Sequence, residues 1–368
     1  MATENKLDTP EMQDFYNDLQ SKNMDALWRH NFPSQTSAEK SAPYQPCRWR
    51  WEDIEPMIWR AGELVEPGPD AQRRVIQLRN PSLSPMGSAT HTLTLAIQLV
   101  YPGEVAPSHR HTPTAIRFML KGEPTTLVDG EPITMHPGDL VLTPNWTWHG
   151  HYNETNEPAI WIDNLDVPIV GALKAGIHED FPEGLDPADK LPDESFRRYG
   201  SGHLRPAKST GAQLISPLHA YPWEQTYQAL HELASVEADP FDDVALEYTN
   251  PTTGGHVLPT LACQIQMLRP GVHTKAHKHS TSAVFHVFKG SGHTIVDGVS
   301  MDWKQGDFFS LPPWCTHEHV NASNSDEVVL YSSTDQPVFE ALGLFHEYAY
   351  EQSGGRQQVV AQYEERYG

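Results

Sequence analysis

Residues 107–151, PSHRHTPTAIRFMLKGEPTTLVDGEPITMHPGDLVLTPNWTWHGH, decide the fold. The stretch opens on a His-x-His pair, His109 and His111, and ends near a third histidine, His149. Alternate side chains of a strand share a face, so His109 and His111 can point at one ion. Pro and Gly punctuate the interval into short strands and turns that would fold His149 back onto the pair. Three neutral imidazoles without a carboxylate suit a divalent transition metal, and the open positions beyond them suit chemistry. Ligand count alone leaves iron, manganese, copper, nickel and zinc open. Strand parity puts Arg117, six residues after His111, on the face of the pair, and His151 on the face of His149. An interior arginine is costly unless an anion meets it.

Outward from this stretch, THTLTLAIQLVYPG (residues 90–103) alternates cleanly. Leu93, Leu95, Ile97 and Leu99 share one face, and Thr94, Ala96 and Gln98 the other. The whole region then recurs. Adding 168 takes His109 to His277, His111 to His279 and His149 to His317. The same shift carries Gly122 to Gly290, Asp129 to Asp297, Gly138 to Gly306, Trp146 to Trp314, His151 to His319 and Asn153 to Asn321. Two copies of one small β-domain follow each other, each with three histidines.

With 368 residues, two domains are the first expectation. A net charge of −22 argues against nucleic acid and anionic membranes as partners, so an anionic substrate needs local cations. Cys47, Cys263 and Cys315 form no disulfide or zinc pattern. No secretory signal and no apolar run long enough to span a bilayer is read, and the expected location is cytoplasmic.

The chain divides into a helical, aromatic N-terminal arm (1–70), a first β-domain (71–170), a linker (171–253) and a second β-domain with a C-terminal helix (254–368). In the arm, Thr9, Pro10 and Glu11 start a helix. Met24, Leu27 and Trp28 suggest a second, and WRWEDIEPMIWR (49–60) packs the arm onto a domain or a neighbouring subunit. Strands begin at about Gln72. The linker reads as loop up to Gly211 and then as a helix in HAYPWEQTYQALHELASV. PVFEALGLFHEYAYEQ, from Pro337, reads as the closing helix.

PG-x5-HxH with a downstream glycine, followed by PGD and P-x-W-x-x-H, resembles the two cupin motifs. The expected fold is mainly β: a bicupin of two tandem antiparallel jelly-roll barrels with a metal inside. The usual cupin glutamate would fall at Ala115 and Ala283, so neither copy has it. Bicupins with three histidines and no glutamate resemble the gentisate 1,2-dioxygenase family, which includes salicylate and 1-hydroxy-2-naphthoate dioxygenases. Further matches are the WRW arm, QRRVIQLRNP, WIDNLD, SPLHAYPWE and NPTTGGHVLPTL.

The resemblance implies one Fe(II) per subunit on His109, His111 and His149, and a small aromatic 2-hydroxy acid and O2 as substrates. The reaction expected from it is gentisate to maleylpyruvate, with salicylate, substituted gentisates or 1-hydroxy-2-naphthoate as alternatives. By the same resemblance Arg117 binds the substrate carboxylate, His151 and Asp163 are catalytic, and Arg73, Thr94 and Ala96 line the pocket. A homotetramer is implied as well. In the second copy His277, His279 and His317 form a candidate second metal site, but Phe285 replaces Arg117 and Ser332 falls opposite Asp163. A decarboxylating bicupin would need the missing glutamates, and a storage bicupin would need neither triad.

Overall fold

The computed structural model of the chain describes residues 9–29, 40–68, 73–209, 211–236 and 238–365. The first eight residues and Gln72, where strands were expected to begin, lie outside them. Met1–Lys40 and Ser41–Gly368 form two compact units. In the first, Thr9 accepts from the Met12 amide at 3.2 Å and starts the helix Pro10–Ser21, as its sequence predicts. The second expected helix is one 3-10 turn, Leu27–Arg29, whose Trp28 stacks on Phe15.

The second unit holds two copies of one two-sheet architecture. In the first copy a six-stranded sheet runs in the order Ala220–Tyr221, Leu140–Thr143, Ala115–Lys121, Ala159–Leu165, Thr94–Val100 and Arg74–Leu78. A smaller sheet faces it, with Val105–His111 beside His149–Tyr152. Every strand pair in both sheets of this copy is antiparallel. The second copy repeats this with Ala283–Lys289 and Val328–Thr334 central in its large sheet and His277–His279 beside His317–Val320 in the other.

The two-residue alternation of Thr94–Val100 now has a spatial meaning. Leu95, Ile97 and Leu99 face outward with Ile116, Phe118 and Ile162, and pack against Ile265, Met267, Val284 and Tyr331 of the other copy. Phe118 and Tyr331 stack with ring centres 4.3 Å apart. Each such side chain is worth about 1.5–3 kcal/mol when fully buried, so this back-to-back seam holds the two barrels together. The opposite faces turn inward and leave the polar residues of each barrel for the sites.

The arms are exchanged across this seam. Cys47–Trp49 precedes the first barrel but pairs with Phe308–Leu311 of the second. Ala220–Tyr221 precedes the second barrel but pairs with Leu140–Val141 of the first. Each strand runs into a helix, Trp51–Leu64 or Trp223–Ala234, whose first amide donates to the carboxylate of the PGD motif or of its QGD counterpart in the second copy. Trp51 N donates to Asp307 at 2.9 Å, and Trp223 N to Asp139 at 2.8 Å. This explains the glycine of that motif. Gly138 sits at φ +92°, and an added Cβ would lie 2.5 Å from Cγ of Trp223. Gly138→Ala is expected to lose about 2–4 kcal/mol of stability by left-handed strain plus overpacking, read as a lower denaturant midpoint with unchanged slope.

Two sequence expectations are corrected. The closing helix covers only Gln336–Ala341; Gly343, at φ +69°, ends it, and Glu347–Ala349 is a strand on the edge of His277–His279. The linker loop likewise contains the strand His178–Asp180, paired with His109–His111, and the helix Glu194–Tyr199. Single-sequence patterns miss both strands because they are three residues long and have no buried residue. No described helix is long and apolar enough to cross a membrane.

His256, in the NPTTGGHVLPTL segment, bridges Glu247 and Glu340. The hydrogen bond to Glu247 is the main cause raising its imidazole to about 9. A folded-state value above the unfolded one gives stability that is complete below pH 6.5 and fades as pH rises through about 9. The expected loss is about 1 kcal/mol, because the group is partly solvated, and His256→Gln should abolish it in unfolding curves at pH 6 and 9.5.

Candidate metal centre and substrate pocket

The antiparallel register sets His109 directly opposite His149. One nitrogen from each of His109, His111 and His149 falls within 4.8 Å of the others, and ring centres are 4.1–5.1 Å apart. The loop that delivers His149 turns at Trp146, a non-glycine residue at φ +60° whose amide donates to the His111 carbonyl at 2.8 Å. Such a backbone is retained only where the surroundings hold it, and here both the strand edge and the Arg110 guanidinium over the Trp146 ring do so.

The imidazoles are prepared as ligands. Nδ1 of His111 donates to the Pro113 carbonyl at 2.6 Å, and Nδ1 of His149 to that of Thr147 at 2.9 Å. Those bonds fix the Nδ1–H tautomer and leave Nε2 lone pairs free. Nε2 of His149 is buried with no partner among the described residues, as a ligand atom awaiting its ion would be. Burial is the main cause that lowers all three, His111 to about 4 and His149 well below the usual range. The donor set therefore fits a divalent transition metal, and no carboxylate joins it: Ala115 is buried at the position where a cupin glutamate would stand.

Beside the triad stands a cross-strand row. Arg117 pairs with Asp163, and Asp163 with Ala96 on the next strand. Nε of Arg117 is 3.1 Å from Oδ1 of Asp163, an ion pair whose angles leave both atoms without a hydrogen bond. Nη1 of Arg117 donates to Thr143, and the side chain is almost fully buried. Burial pushes the Asp163 carboxyl up while Arg117 pulls it down, and Trp161 Nε1 donates to its Oδ2 at 3.2 Å. Arg73 reaches the same space from the start of strand Arg74–Leu78: it donates to the Pro107 carbonyl at 2.6 Å and lies 3.0 Å from Nε2 of His109. Arg73 also lies against Nδ1 of His109, so its guanidinium runs along the ring rather than end-on to one nitrogen. Thr94 and Ala96 lie on the strand face that carries this row.

His151 is fully buried, and its Nδ1 is 2.8 Å from Oγ1 of Thr126. That hydroxyl donates to the Gly150 carbonyl at 3.3 Å, so it accepts from Nδ1–H and leaves Nε2 of His151 as a bare acceptor. Burial, then Arg117, hold the ring neutral.

The second triad has the same build. His277 and His317 bring their Nε2 atoms to 3.0 Å, His279 and His317 bond carbonyls through Nδ1, and all three histidines satisfy the same distance condition. Phe285 pairs with Ser332 as Arg117 pairs with Asp163.

Residues 96–167 and 264–333 each match the model of the Cupin domain. The chain is 39% identical to a 5-aminosalicylate 1,2-dioxygenase of Comamonas sp, covering 95% of this chain and 93% of that one. It is 37% identical to a gentisate 1,2-dioxygenase of Streptomyces sp, over 93% and 95%. The chain belongs to this family of aromatic-acid 1,2-dioxygenases. A solved salicylate 1,2-dioxygenase from Pseudoaminobacter salicylatoxidans, in adduct with gentisate, superposes with a TM-score of 0.85 at 33% identity, covering 94% of this chain and 95% of that one.

The dioxygenase is thus a bicupin whose relatives are named for aromatic acids. Sequence reasoning assigned no role to three residues that the fold places near its first triad. Gln98 is buried with Nε2 unpartnered on the face of Thr94 and Ala96, a parity legible in the alternating strand. Thr126 sets the His151 tautomer, and its recurrence as Thr294, 2.9 Å from His319, was available from the repeat. His178 pairs with His111 from the linker strand, its ring 5.2 Å from that of His109 and its Nε2 3.0 Å from Asp180. No local pattern announced that strand.

Proposed function

We propose that the dioxygenase binds Fe(II) on His109, His111 and His149 of the first barrel and cleaves gentisate with O2 to maleylpyruvate. The observation that carries this reading is a buried guanidinium, Arg117, whose charge acts on all three imidazoles of a triad with open nitrogen donors. When bound, Fe(II) supplies the electron path between an electron-rich phenol and O2.

The chain's own residues do the rest. Arg117, braced by Asp163 and Thr143, receives the carboxylate on a planar fork, and Arg73 adds charge where the net charge of −22 would otherwise repel an acid. His151 accepts the proton of the ring hydroxyl on Nε2, with Thr126 holding its tautomer. Thr94 and Ala96 bound the ring, and the buried strands exclude bulk water. Domain limits near residues 70, 170 and 253, a homotetramer and a cytoplasmic location accompany this proposal.

The same chemistry on a 5-substituted salicylate is the second reading, favoured by the relative named for 5-aminosalicylate. Gentisate and 5-aminosalicylate both carry a π-donor para to the 2-hydroxyl, which enriches the ring in the same way. The test is anaerobic loading with Fe(II), then oxygen uptake and ring-opened product absorbance with gentisate, 5-aminosalicylate and salicylate. Uptake with gentisate at least matching the others supports the reading. A preference for 5-aminosalicylate selects the second reading, and no uptake with any of them overturns both.

A further inference from the structure

The second barrel keeps the histidines and changes the charged groups around them. Strand register aligns the copies without ambiguity: Arg74 pairs with Leu99 and Val244 with Met267, and Leu99 and Met267 are the repeat equivalents. Arg73 therefore corresponds to Asp243, which is committed to Arg269 at 2.6 Å. Arg117 corresponds to Phe285, and Asp163 to Ser332. His178 pairs with His111 as Glu347 pairs with His279, so the rim imidazole has become a carboxylate.

Those exchanges create an electrostatic opposite of the first pocket. A cleft of about 400 Å³ leads to His277, lined also by Asp239, Phe241, Asp242, Glu347 and Ala349. No lysine or arginine among the described residues lines it. Nδ1 of His277 is buried without a hydrogen-bond partner, and the nearest carboxylate oxygen, of Glu347, is 3.7 Å away. A carboxylate behind a ligating imidazole raises its donor strength and favours a cation on the far nitrogen, where Nε2 of His277 and His317 converge.

We propose that His277, His279 and His317 form a second divalent-cation site backed by this acidic cleft, whose charge favours a metal ion and turns away aromatic carboxylates. Its job is to hold a cation rather than to turn over an acid: no guanidinium lines the cleft to receive a carboxylate, and Asp239 and Glu347 repel one, joined by Asp242 as pH rises through about 7, to which burial pushes its carboxyl. The contrast with the first barrel rests on the function proposed above; the cation site itself does not.

Cobalt(II) is the probe, because its visible absorption reports tetrahedral or higher coordination with nitrogen donors. The metal-free full chain is titrated with Co(II) alone and its retained metal measured after gel filtration. Wild type is expected to retain two equivalents, and the His149→Ala and His317→Ala chains one each. Adding gentisate should change the Co(II) spectrum of His317→Ala and leave that of His149→Ala unchanged. Asp242→Asn with Glu347→Gln should weaken or slow uptake of the second equivalent at least about 10-fold without altering the first. No retained metal in His149→Ala, checked against His111→Gln with native circular dichroism, overturns the proposal. So does a gentisate response in His149→Ala. A missing response in His317→Ala would instead overturn the aromatic-acid reading of the first barrel and leave the cation site standing.

Discussion

Arg117→Ala is expected to lower kcat/KM for the aromatic acid by about 30- to 5,000-fold while the first triad still retains metal. Truncating one partner of a buried, hydrogen-bonded charge pair costs about 2–5 kcal/mol, and each 1.36 kcal/mol is tenfold in rate. Arg117 is nearly fully buried, its Nη1 is committed to Thr143, and its counter-ion is Asp163 at 3.1 Å. Removing it leaves the Asp163 carboxyl buried without its cation, so a further stability loss of about 3–5 kcal/mol is expected. Arg117→Lys separates the two effects. It keeps the charge for Asp163 and so most of the stability, but lacks the planar fork, and the expected loss is mainly a raised KM. Steady-state kinetics with a melting curve for each variant check this; unchanged kinetics in Arg117→Lys would place the carboxylate elsewhere.

His149→Ala is expected to bring ring cleavage down to the uncatalysed background and to remove one equivalent of metal. His149 joins the triad through a buried Nε2 that has no other partner among the described residues, on the strand position directly opposite His109. Loss of even outer partners of a metal-bound histidine costs about 10–100-fold in affinity, so loss of the ligand itself should exceed that. The barrel should still fold, because the imidazole donates only to the Thr147 carbonyl and leaves no buried ion behind. Metal analysis together with circular dichroism distinguishes a lost site from a lost fold.

Much of this site was legible before any coordinates. The His-x-His pair, His149 and Arg117 are set by strand parity, and a two-residue period survives folding because the pleat enforces it. The constant 168-residue shift carried the two-barrel organisation, and strand register confirms Phe285 and Ser332 as the counterparts of Arg117 and Asp163. What stayed hidden depends on long-range pairing. Cys47–Trp49 and Ala220–Tyr221 each serve the barrel they do not precede, a choice set by Asp307 and Asp139 and by the glycines beside them. His178 and Glu347 reach the two triads on short exposed strands whose pairing comes from the edges of His109–His111 and His277–His279. Without a hydrophobic face, those segments read as loop and helix. The charge contrast between the two pockets follows mainly from Arg73 and Arg117, whose counterparts are Asp243 and Phe285.

The central claim is that two similar histidine triads divide their labour: the first opens aromatic rings and the second does not. Oxygen uptake with gentisate by the Fe(II)-loaded His149→Ala and His317→Ala chains, measured side by side, tests it most directly. The account predicts no uptake above background from His149→Ala and near wild-type uptake from His317→Ala. Uptake that survives in His149→Ala and vanishes in His317→Ala would contradict it.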